Sequence, residues 1–288
     1  MFGFQRVGDQ IWLAADSRCK GFLLGATAGR TTLNGEGLQH EDGHSHMISA
    51  TVPNCLSYDP TFGYEVAVIV QDGLKRMYAE QRDCYYYLTV MNENYTHPAI
   101  PEGAAPSIIK GMYLFKAGAA KSKAPRVQLL GSGTIFREVI AAAELLRNDW
   151  GVESDLWSCP SFTQLAREGH AVTRANMFGS DGKPRVSFVE ESLNRTEGPV
   201  IAATDYIRAF AEQIRQFVPR RYVVLGTDGF GRSDTREKLR HFFEVDRRWV
   251  TVAALKALAD EDRVPASKVR EAMDKYALDR AKPAPWSV

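Results

Sequence analysis

Gly29-Arg30-Thr31-Thr32-Leu33-Asn34-Gly35-Glu36-Gly37-Leu38-Gln39-His40-Glu41-Asp42-Gly43-His44-Ser45-His46 decides how this chain is read. It follows Phe22-Leu23-Leu24-Gly25-Ala26, an apolar run long enough for one buried strand. Little in the stretch itself is suited to a core. Its four glycines allow backbone turns that other residues resist. Three of the chain's six histidines fall in it, beside Glu36, Glu41 and Asp42. A polar loop leaving the C-terminal end of a buried strand is where open α/β sheets bind ligands.

The flanking chain supports such a sheet. Gln5 to Lys20 has a helical apolar face built from Val7, Ile11, Ala14 and Ala15. Asn54-Cys55-Leu56-Ser57-Tyr58 reads as a second strand, Tyr64 to Glu80 as a helix, and Cys84 to Val90 as an aromatic and β-branched strand. Tyr85-Tyr86-Tyr87 reads as packing on both sheet faces. Strands alternating with helices imply parallel pairing through right-handed crossovers. From Asn92 to Pro106 the pattern stops in a proline-containing linker, so a domain boundary is placed near residue 100. A second α/β unit follows. Its strands are expected at Lys110–Phe115, Val127–Gly131, Glu153–Ser158, Val200–Ala203 and Tyr222–Gly226. Its helices are expected at Ile135–Asn148, Phe162–Glu168, Ala209–Phe217, Val250–Leu258 and Ser267–Tyr276, with a loop over Arg174–Pro184. Asp234-Thr235-Arg236-Glu237 fits a capping box, with Ser233 as the other candidate cap. The expected class is α/β: two three-layer αβα domains with largely parallel sheets, residues 1–100 and 101–288.

Composition narrows the function. The chain has 288 residues, 44% hydrophobic and 25% charged, with a net charge of +1. Those are the proportions of a soluble globular protein, and no basic cluster points to nucleic acid or a membrane surface. No apolar run approaches the ~20 residues of a membrane helix, and the N-terminus lacks the features of a signal peptide. Cys19, Cys55, Cys84 and Cys159 are scattered, as reduced thiols of a cytoplasmic protein are. The chain opens directly on aromatic sequence, as if Met1 lay inside a larger architecture.

Three readings of the histidine-rich loop compete. Its nitrogens and carboxylates are ligands that zinc or manganese accept, but all lie in one glycine-rich loop without regular structure to fix them. It could be purely structural. The preferred reading is a loop that holds polar side chains over a substrate or cofactor, where a histidine exchanges or donates protons near neutral pH. Gly131-Ser132-Gly133-Thr134 has the place of a phosphate-binding turn, yet lacks the dinucleotide fingerprint and the P-loop lysine; it reads first as a tight turn. Asp228-Gly229-Phe230-Gly231-Arg232 also reads as a turn. No Gly-x-Ser-x-Gly elbow is present to support a serine hydrolase.

Gly35-Glu36-Gly37-Leu38-Gln39-His40 after a strand resembles the corresponding loop of transketolase-like thiamine diphosphate enzymes. The longer run to His46, with Met1-Phe2-Gly3-Phe4-Gln5-Arg6, Asn92-Glu93-Asn94-Tyr95 and Leu225-Gly226-Thr227-Asp228-Gly229-Phe230-Gly231-Arg232-Ser233-Asp234, resembles the homodimeric pyruvate dehydrogenase decarboxylating components of bacterial multienzyme complexes. The resemblance implies a pyrimidine-binding middle domain for residues 1–100, in part, and a transketolase-type C-terminal domain for 101–288. It places Phe2 on the aminopyrimidine ring, His40 against the substrate and Glu36 nearby as a second catalytic group, with His44 and His46 as loop supports. It implies thiamine diphosphate and Mg2+, with the metal ligands outside this chain and no metal residues within it. The family's Gly-Asp-Gly…Asn motif and its cofactor-activating glutamate are not found, and Thr227-Asp228-Gly229 is not that motif because no asparagine follows Asn194. The implied reaction is decarboxylation of pyruvate and reductive acetylation of a lipoyl group on a dihydrolipoamide acetyltransferase, by a homodimer. The chain alone is expected to be inactive. The alternatives are a transketolase-like enzyme for another 2-oxo acid or a sugar phosphate, and a non-catalytic assembly module.

Overall fold

The structure, a computed structural model, describes residues 3–26, 28–34, 37–179 and 182–288. The chain begins with α1 (Gly8–Asp16), β1 (Phe22–Ala26), a 3-10 turn at Leu38–His40 and α2 (Ser45–Ala50). It continues with β2 (Cys55–Tyr58), α3 (Gly63–Leu74) and β3 (Tyr85–Val90). The three strands form a parallel sheet in the order β1-β3-β2. α3 packs on the Phe22 and Tyr86 face, where Gly73 leaves no room for a Cβ. Phe4 meets Tyr87 edge-on at 4.8 Å on the other face. Tyr85, Tyr86 and Tyr87 are all buried, as the tyrosine run implies.

α4 (Ala105–Lys110) and β4 (Tyr113–Lys116) open the second unit, followed by β5 (Arg126–Gly131), α5 (Ile135–Trp150), β6 (Glu153–Ser158) and α6 (Phe162–Met177). Next come α7 (Phe188–Asn194), β7 (Val200–Ala203), α8 (Ala209–Glu212), β8 (Tyr222–Leu225), α9 (Arg236–Phe242), α10 (Arg247–Ala259) and α11 (Ser267–Lys275). The sheet order is β4-β6-β5-β7-β8, parallel except for β4. Side chains alternate between two cores. Leu129 and Ile201 face α5 and α10, whereas Leu130 and Ala202 face α6 and α8. A sheet covered on both faces explains the unbroken apolar run of β7.

Several local expectations change. β1 is an edge strand, so Leu24 is 63% exposed instead of buried. α2 has no counterpart among the expected elements; at its start the amides of His44 and Ser45 donate to Asp42 Oδ1. Lys110 closes a helix in which Pro106 sits in the first turn, where its missing N–H costs nothing, so β4 starts later than expected. α6 runs on to Met177, through residues expected to be loop. α7 was not anticipated; Ser187 caps it by accepting from Glu190 N. Thr235, rather than Asp234 or Ser233, caps α9. No helix among the described residues is long and apolar enough to cross a membrane.

Candidate active site

β1 and β3 are neighbouring parallel strands, and their C-terminal ends point the same way. The chain leaving β1 stays beside β3 for one more bond, Ala28 N to Val90 O at 3.0 Å. It then turns into the protein. Arg30, Thr31 and Thr32 are buried. Such polar groups are tolerated inside only when they are paired. Here the amide of Thr31 donates to both oxygens of Asp205, at 3.1 and 3.2 Å, and the amide of Arg30 donates to the Asp205 carbonyl at 3.2 Å. The Arg30 guanidinium donates to the Gly229 carbonyl and lies 3.5 Å from His44 Nδ1. The guanidinium packs closely on Gly43, where a Cβ would lie 2.2 Å from Arg30 Nη2 and would displace it.

This anchoring presents the Leu38–His40 turn to a cavity of about 430 Å³. His40 and Asp42 line it with Phe4, Ile11, Leu24 and Tyr87. Of the three expected site residues, the structure therefore places His40 on the wall of a cavity. Phe2 and Glu36 lie outside the described residues, although Gly3 and Phe4, which follow Phe2 in the chain, are part of the same wall.

His44 and His46 are not among the residues that line the cavity. His46 is buried, with Nδ1 2.5 Å from Ser57 Oγ and Nε2 3.0 Å from Thr89 Oγ1, and it stacks on Phe210. Burial lowers its pKa to about 3, so it is neutral at pH 7. His44 is also held below its usual value, by burial and by Arg30. No group of three His, Cys, Asp or Glu residues placed to hold a metal occurs among the described residues.

The surroundings contain acids that local sequence does not announce. Asp59 accepts from Thr89 Oγ1 at 2.7 Å and Ser132 Oγ at 2.8 Å, and burial raises its pKa to about 7. The Ser132-Gly133-Thr134 turn closes directly on it: Gly133 has φ +50°, and a Cβ there would lie 2.5 Å from Asp59 Oδ2. That contact makes the turn a packing element. Glu65 accepts from Tyr113 Oη at 2.7 Å and Ser158 Oγ at 2.6 Å, tying α3 to β4 and β6. Glu41 is buried beside Gly231, and burial raises its pKa to about 7.

The family model of the pyruvate dehydrogenase E1 component middle domain matches residues 1–98, and that of the transketolase-like TK C-terminal domain matches residues 111–246. The pyruvate dehydrogenase E1 component of Cupriavidus necator is 72% identical over 288 residues, which is 100% of this chain and 32% of the relative. The chain thus spans about a third of the length of the curated relatives it matches. Among solved structures, transketolase from Campylobacter jejuni aligns with a TM-score of 0.65 at 19% identity, covering 89% of this chain and 34% of that one. A chain described as a split gene transketolase, inactive beta4 tetramer, aligns with a TM-score of 0.56 at 16% identity, covering 89% of this chain and 73% of that one. At these identities the two structures speak to the fold.

Proposed function

The chain belongs to the pyruvate dehydrogenase E1 component family, carrying the middle and transketolase-like C-terminal domains, and from that premise we propose that it forms one wall of a thiamine diphosphate site. In the complete enzyme this site decarboxylates pyruvate and passes the acetyl group to a lipoyl group. The observation that carries the reading is His40 on the wall of the cavity, beside the segment that follows Phe2. We divide the chain at about residue 100, the middle domain before it and the C-terminal domain after it.

The cavity fits one end of the cofactor. Phe4, Ile11, Leu24 and Tyr87 offer the apolar wall that a flat aminopyrimidine ring needs, and Phe2 is assigned to stack on it. The diphosphate and Mg2+ are assigned to residues outside this chain, in whose sequence the family's Gly-Asp-Gly…Asn motif is not found. The cofactor, when bound, stabilises the carbanion left by decarboxylation. This chain's residues position and polarise. His40 donates a hydrogen bond to the substrate carboxylate or to the oxygen where negative charge develops, and Glu36 is assigned beside it as a second polar group. The apolar wall keeps water from the reacting end, which strengthens that bond.

A sugar-phosphate substrate is disfavoured. No Lys or Arg lines the cavity among the described residues, and Arg30 is buried with its guanidinium on Gly229. The assigned partners are a second subunit in a cytoplasmic homodimer and a lipoyl-bearing dihydrolipoamide acetyltransferase. The chain alone is proposed to be inactive, because it spans about a third of the length of the curated relatives it matches.

Pyruvate-dependent dye reduction with thiamine diphosphate and Mg2+ tests this, comparing the longest native polypeptide that contains the segment with the present chain. Activity is expected in the former and not in the latter. Robust turnover by the present chain would contradict the assignment of cofactor ligands to other segments. Cofactor binding without pyruvate turnover in the longer polypeptide would move the substrate to another 2-oxo acid.

A further inference from the structure

His40 closes the 3-10 turn Leu38–His40, and Glu41 follows it. Glu41 does not line the cavity. Its side chain turns away, toward the Gly229–Arg232 turn some 190 residues later. There Glu41 Oε2 accepts from the Arg232 amide at 2.5 Å. The neighbouring Gly231 packs so closely that a Cβ on it would lie 2.7 Å from Glu41 Oε2 and 2.8 Å from the Leu38 carbonyl oxygen. The same turn is gripped from the other side by Arg30 through the Gly229 carbonyl. Glu41 is buried, and its Oε1 meets no donor among the described residues, so its burial has a cost that the Arg232 contact offsets in part. A short turn of three residues has few bonds of its own to hold a side chain in place.

We propose that Glu41 is a positioning residue: by clasping the Gly229–Arg232 turn it fixes the Leu38–His40 turn, so that the C-terminal domain sets where His40 stands in the cavity. The proposal rests on His40 acting in the pyruvate reaction. It gives the C-terminal domain a defined part in that chemistry, although none of its described residues lines the cavity.

The test uses the full-length enzyme with thiamine diphosphate and Mg2+, as wild type, Glu41→Ala, Glu41→Gln, Gly231→Ala, His40→Ala and the double variant His40→Ala with Glu41→Ala. Hydrogen exchange of the 38–41 amides is read beside steady-state kinetics. Glu41→Ala is expected to speed exchange at 38–41 and to lower kcat about tenfold or more, with cofactor affinity kept. Glu41→Gln, which retains an acceptor for the Arg232 amide, is expected to recover most of that loss. Gly231→Ala should reproduce it through the displaced Leu38 carbonyl. The double variant should be within about twofold of His40→Ala, because a group that acts through another adds nothing once that group is gone. Wild-type exchange rates in Glu41→Ala and Gly231→Ala, or an equal further loss when Glu41→Ala is added to His40→Ala, would overturn the proposal. If Glu41→Ala fails to fold, Gly231→Ala decides alone. A wild-type enzyme that does not turn over pyruvate would refute the assigned reaction, and the exchange measurement would still decide whether Glu41 holds the turn.

Discussion

The amide of Thr31 donates to the buried carboxylate of Asp205 at 3.1 Å, joining the loop after β1 to the segment after β7. Arg240 Nε, from α9, completes the junction 3.3 Å from Thr31 Oγ1. Asp205→Ala therefore strands the Thr31 amide in the interior. A buried donor without a partner costs about 1–3 kcal/mol. The expected outcome is a lower thermal midpoint together with faster hydrogen exchange at residues 30–32. An unchanged midpoint would show that the junction is replaceable.

Asp59 makes stability depend on pH. Burial raises its pKa from 3.8 to about 7 in the folded chain, whereas the unfolded chain keeps the ordinary value. The folded state thus holds a proton that the unfolded state has lost. The stabilisation is fully present below about pH 4 and is lost as pH rises through about 7, on the order of a few kcal/mol for this group. Asp59→Asn, which stays neutral, should flatten the fall in thermal midpoint between pH 5 and pH 8. A variant with the wild-type slope would place the titration elsewhere.

Glu93 has the opposite sign. Burial would raise its pKa, but hydrogen bonds and charge from Arg240, with Thr134 and Arg137, hold it at about 2. Its contribution is present above the usual carboxylate value and is lost as pH falls through about 2. Arg240→Met removes the main partner and leaves the Glu93 carboxylate to Arg137, Thr134 and the more distant Arg236. Breaking such a pair costs roughly 3 kcal/mol or more, read as a lower denaturant midpoint at pH 7. A midpoint within error of wild type would mean that Arg137 and Arg236 suffice.

Some of this architecture is legible in the residues and some is not. β3, β7 and β8 stand out because β-branched and aromatic runs bounded by turn residues have few other uses. The edge position of β1 does not stand out, since Phe22-Leu23-Leu24 has the same composition at an edge as in a sheet centre. α7 had a readable signal, Ser187 three residues before Glu190, a capping-box spacing. The burial of Arg30–Thr32 had none nearby, because their partners Asp205 and Gly229 lie far along the chain. Asp59 and Glu65 are hidden for the same reason, as the groups that satisfy them belong to other strands. His40 was found through the resemblance, and the cavity supplies the physical reason for its place.

His40 carries the central claim, and its removal tests that claim most directly. In the longest native polypeptide, with thiamine diphosphate and Mg2+, His40→Ala should lower kcat for pyruvate at least about tenfold, or about 1.4 kcal/mol of barrier, while cofactor binding is retained. Full activity in His40→Ala would contradict the account, because the residue that the fold presents to the cavity would then have no part in the reaction.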